Sequence, residues 1–82
     1  MNIIRIRQEN RQEKINILIE TLKKAFSAGI SVDKEKLALE SCRRFMISHR
    51  TSLEYISLAL LDFNVFEEKI NGRVMISEKK EA

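Results

Sequence analysis

Apolar residues recur at helical spacing over the first third of the chain. Ile15, Ile19, Leu22 and Phe26 fall on one stripe, with Leu18 and Ala25 beside them, and the pattern predicts a helix from about Gln8 to Ala28. Gly29 follows, where a left-handed residue closes a last turn, and Ile30 is placed for the apolar contact that accompanies such a cap. Before Gln8 the pattern changes. Ile4-Arg5-Ile6-Arg7 alternates as a short strand does, yet the same residues also suit an earlier helix start, so residues 1–7 form an arm with two readings.

A second helix begins at Asp33, whose carboxylate can accept a bond from a free amide of the first turn. Val32 and Leu37 sit where a hydrophobic staple forms across that start. Leu37, Ala38, Cys42 and Phe45 line one side. The pattern breaks at Met46-Ile47, and Ser48 is the next capping residue. A third helix runs from His49 to about Phe63, with Ser52, Leu53, Ile56, Ala59, Leu60 and Phe63 as its core stripe. The last element is a hairpin. Asn71-Gly72 is a strong signal for a two-residue type I′ turn, which needs positive φ at both central residues. Its flanks, Val65 to Ile70 and Arg73 to Ile76, are rich in β-prone residues. The two-residue loop sets Ile70 opposite Arg73 and Lys69 opposite Val74, with Val65, Val74 and Ile76 on one face. Residues 77–82 read as a charged, frayed tail.

Composition narrows the function classes. The 82 residues make one domain, 1–82, with no room for a second substrate-binding unit. Hydrophobic residues at 44% suffice for a core, so general disorder is not expected. The net charge of +3 is compatible with a polyanion partner without demanding one. Cys42 is the single cysteine, which excludes an intrachain disulfide and fits a reducing compartment. The longest apolar run, Ile56 to Leu61, is interrupted by Ser57 and is too short to span a bilayer. The first residues lack the pattern of a secretory signal, so the expected location is cytoplasmic and no membrane partner is expected. His49 is the single histidine, and one Cys and one His cannot complete a tetrahedral zinc site. No glycine-rich phosphate loop occurs. No cofactor, no metal and no catalysis are expected.

The element order is helix, helix, tight turn, helix, hairpin. Phe45-Met46-Ile47-Ser48-His49-Arg50-Thr51 resembles the turn and recognition-helix start of winged helix-turn-helix domains, and Leu61-Asp62-Phe63-Asn64-Val65-Phe66-Glu67-Glu68 resembles their passage into the wing. The resemblance covers roughly residues 33–76. It implies a mainly α fold: a three-helix winged helix-turn-helix with a C-terminal β-hairpin wing. It also implies a duplex-DNA-binding protein of the transcription-regulator kind, reading the major groove with helix 49–63. Met46 departs from the glycine common at that turn position, so a longer or differently shaped turn is expected.

Local charge supports the same partner. No acid lies between Glu40 and Glu54, a window that holds Arg43, Arg44, His49 and Arg50. Arg50 falls in the first turn of the reading helix, and an arginine pairs in bidentate fashion with guanine. Ser48, Ser52 and Tyr55 offer hydroxyls to phosphates or bases, and Lys69 and Arg73 on the wing offer charges to the flanking backbone. A second feature competes. Leu58 and Leu61 fall opposite the Ile56/Phe63 stripe, so the C-terminal half of the third helix is apolar nearly all round. Either helix one and the wing cover it, or a homodimer or a larger protein partner does. Ile17 also lies off the main stripe of helix one. The alternative function is therefore a small accessory subunit of a DNA replication or transcription complex, using the fold for protein docking.

Overall fold

The computed structural model describes residues 3–79, and for 3–10 its backbone alone. Helix α1 spans Ile3–Ser27, strand β1 Val32–Asp33, helix α2 Lys34–Phe45, helix α3 His49–Leu60, strand β2 Val65–Ile70 and strand β3 Arg73–Glu78. Three helices thus precede a C-terminal hairpin, the mainly helical winged helix-turn-helix arrangement expected. Of the arm 1–7, residues from Ile3 onward belong to α1, so the strand reading of Ile4-Arg5-Ile6-Arg7 is set aside. A helix gives the carbonyls of these residues acceptor roles to amides one turn further along the same segment, whereas a strand needs a second strand. Residues 1–2 and 80–82 lie outside the described residues.

Each helix boundary has a local cause. At the end of α1, Gly29 has φ +73. The amide of Ile30 reaches the Ala25 carbonyl at 2.9 Å and that of Gly29 the Phe26 carbonyl at 3.0 Å, the two bonds of a Schellman cap. Ile30 itself stays exposed. The Asp33 Oδ1 accepts from the Lys36 amide at 3.2 Å and opens α2. Ser48 Oγ accepts from the Thr51 amide at 3.1 Å and opens α3. Between α2 and α3, Met46 adopts φ 54 and ψ 49, and its amide bonds the Cys42 carbonyl. The turn therefore keeps its short form, with methionine standing in the left-handed position; the expectation of a longer turn is corrected. α3 ends at Leu60, before the expected Phe63. The amides of Leu61, Asp62 and Phe63 then bond carbonyls three residues back. This tight turn carries Phe63 onto Phe26, ring centroids 5.2 Å apart and edge to face.

The hairpin has the expected register, Ile70 opposite Arg73 and Lys69 opposite Val74, and φ is positive at both Asn71 and Gly72. Two features were not anticipated. β3 continues to Glu78, and the Lys79 amide bonds the Asn64 carbonyl at 2.8 Å, so the segment expected to fray begins as sheet. Val32 and Asp33 also pair with Ile76 and Met75, making a three-stranded antiparallel sheet of order β1-β3-β2. The wing is thereby tied to the start of α2. Its central strand delivers Ile76 into the core beside Leu22 of α1 and Ile56 of α3, all fully buried. Ser41 and Ser52 are buried with them. Ser41 donates to the Leu37 carbonyl at 2.8 Å and Ser52 to the Ala38 carbonyl at 2.9 Å, so both hydroxyls are satisfied. Ser41 occupies the deep position on α2, and Cys42 is only half-buried.

Candidate nucleic-acid interface

The outward side of α3 is defined by its inward side. With about 100° per residue, Ser52, Ile56 and Ala59 face the core and Arg50, Glu54, Ser57, Leu58 and Leu61 face away, and all five of the latter are exposed. Arg50 is the most open of the basic side chains on this helix, 93% exposed. It stands in the first turn, where the short Met46–Ser48 turn and the Ser48 cap leave the helix start uncovered. Its Nε lies 3.8 Å from Glu54 Oε1, one turn further along the same face.

The acid-free window of the sequence is not acid-free in space. His49 Nε2 meets Glu35 Oε1 at 2.9 Å, because α2 brings its own first turn against that of α3. Arg73 Nη1 lies 3.8 Å from Asp33 Oδ2, the carboxylate that also caps α2. Lys34 at the start of α2 pairs with Glu67 of β2 at 3.1 Å. Among the described residues, no ion pair reaches Arg43 or Lys69. These exposed pairs are individually weak, so they lower the local positive field without fixing the side chains.

The expected site residues do not share one environment. Arg43, His49, Arg50, Lys69 and Arg73 are exposed. Ser48 is exposed too, but its hydroxyl is held in the helix cap and donates to Thr51 Oγ1 at 2.9 Å. Ser52 is buried and bonded to α2, so its assignment to the interface is corrected. Tyr55 lies about 140° around the helix from Arg50. It packs against the core, with the Arg11 guanidinium of α1 5.8 Å from its ring centroid, and does not share the Arg50 face. Arg44 is exposed but turns towards α1. Its guanidinium lies 5.7 Å from the Phe45 ring, and it lines a shallow groove with Ile17, Glu20 and Thr21. Glu54, which charge reasoning passed over as the end of the basic window, shares the face of Arg50.

The expected apolar contacts also separate. Ile17 is half-buried in the α1–α2 groove with Leu37 and Phe45. Leu58 is 38% exposed and Leu61 78% exposed. Residues of α1 cover part of Leu58, as the intramolecular reading holds, whereas among the described residues Leu61 is left open and that reading is corrected for it. Leu58 borders a second groove with Ile15, Ile19 and Asp62. Among the described residues, no helix is long and apolar enough to cross a membrane. No known protein family, curated protein or solved structure matches the chain.

Proposed function

We propose that the chain binds duplex DNA, with the first half of α3 in the major groove and the hairpin against the neighbouring backbone. The observation that carries this reading is Arg50, fully open on the outward first turn of the second helix of a helix-turn-helix. Arg43 and Lys69, which no ion pair reaches among the described residues, supply charge at the end of α2 and on the wing; His49 offers a ring nitrogen and Arg73 a charge that a phosphate can draw from its carboxylate. Arg50 takes a guanine edge; the others position the domain without reading sequence. Ser52 and Tyr55 take no part. The role that fits is a transcription regulator acting as a symmetric pair.

The test is salt-titrated binding to mixed-sequence duplex DNA. Each phosphate contact contributes about 0.9 to the slope of log affinity against log salt, so three or four contacts give roughly −3 to −4 per domain. Arg50→Ala should weaken the preferred site by about 1–3 kcal/mol and relax preference at one position. A flat salt response, with Arg50→Ala indistinguishable from wild type, would reject the reading.

A second reading is supported by Leu58 and Leu61, which put leucine on the outward face of α3 where a groove-reading helix carries polar side chains. In that reading the chain docks on a larger protein as an accessory subunit. It requires that Leu61→Glu abolish the complex and that Arg50→Ala leave it intact.

A further inference from the structure

We propose that Glu54 is a second base-reading residue, accepting a hydrogen bond from the exocyclic amine of a cytosine beside the guanine taken by Arg50; this rests on the duplex-binding reading above. Glu54 is solvent-facing on α3, and its partner among the described residues is Arg50 at 3.8 Å. An exposed pair of that length, four residues apart with arginine first, contributes little to helix stability. The fold therefore does not require a carboxylate there.

A carboxylate on a face turned to DNA is repelled by phosphate, and the groove floor gives it a use. An ionised carboxylate only accepts. In the major groove cytosine presents its N4 amine as a donor, whereas the N6 amine of adenine sits next to the N7 acceptor, which repels a carboxylate. Guanine and thymine present acceptors there. Cytosine is thus the base that suits Glu54. Four helical residues advance about 6 Å along the axis, against about 3.4 Å per base pair. Arg50 and Glu54 accordingly meet pairs one or two steps apart. The guanidinium between Glu54 and the helix start offsets repulsion from the backbone, so the two side chains act as one reading unit with opposite preferences.

The experiment is selection of bound sequences from a random duplex library, followed by affinity measurements on the selected site, for wild type, Glu54→Ala and Glu54→Gln. The expected wild-type site has a guanine with a cytosine one or two steps away, and replacing that cytosine weakens binding about 5- to 10-fold. Glu54→Ala should lose the cytosine preference and keep the guanine. Glu54→Gln should exchange cytosine for adenine, since a glutamine amide pairs with the N6 and N7 edge of adenine. If both variants bind every sequence more tightly and select the same site as wild type, Glu54 only repels phosphate and the proposal is overturned while the duplex-binding reading stands. If wild type binds no duplex at all, both fail together.

Discussion

Met46 shows how one side chain can be spent on backbone shape alone. Its φ of 54 is the left-handed region, and its side chain is 91% exposed. A non-glycine residue there costs on the order of 1 kcal/mol. Met46→Gly should therefore raise stability, by up to about 1 kcal/mol less the greater freedom of glycine in the unfolded chain, read as a higher denaturant midpoint. Gly29 gives the opposite case. A Cβ at Gly29 would meet nothing within 4 Å, so the cost of Gly29→Ala is conformational alone. It should lower stability by about 1 kcal/mol with no change in binding. Ser52 separates structure from function at the same scale. Its hydroxyl joins α3 to α2, so Ser52→Ala should cost about 1 kcal/mol of stability. Base preference measured on the folded variant should not move. A changed preference would return Ser52 to the interface.

The elements that were legible in the sequence are those whose cause is local. Asp33, Ser48, Gly29 and Asn71-Gly72 each act within a few residues, and each stands where the sequence places it. The helical stripes were legible because burial has one dominant period. β1 was not, because two residues beside a helix cap become a strand only through pairing with Ile76 and Met75, more than forty positions away. Sequence separation also hid two polar contacts: Glu35 beside His49, 14 positions apart, and Asp33 beside Arg73 are made by packing, not by sequence adjacency. Packing also makes the wing part of the core. Ile76 is fully buried on the central strand of the sheet. Ile76→Ala should cost about 2–5 kcal/mol. The loss should lower the melting of the helices and not only loosen the hairpin. Helical circular dichroism that melts at the wild-type temperature would show the wing to be an independent appendage.

At the scale of the whole molecule, Leu58 and Leu61 must be reconciled with Arg50 on the same helix face. The two ends of α3 divide that face, charge at the start and leucine at the end. From Arg50 to Leu58 or Leu61 the axis advances about 12–16 Å. Two copies meeting through their leucine ends, with about 8–10 Å between the axes of packed helices, would set their Arg50 ends roughly 25–34 Å apart. The upper end of that range reaches the spacing of about 34 Å between successive major grooves on one side of a duplex. A self-complementary patch of this kind closes as a two-fold dimer. If the chain binds duplex DNA as proposed, one domain alone should give a salt slope of roughly −3 to −4, and a bound pair should double it to about −6 to −8. Leu61→Glu puts charge into the contact and leaves the core untouched, since Leu61 is already exposed. The expected result is a dimer by light scattering at tens of micromolar for wild type, a monomer for Leu61→Glu, and a halved slope with a single half-site selected by the variant. Wild type that is monomeric in solution and on DNA, with the slope of a single domain unaltered in Leu61→Glu, would remove the dimer. It would leave the leucines to a different protein, as the accessory-subunit reading holds.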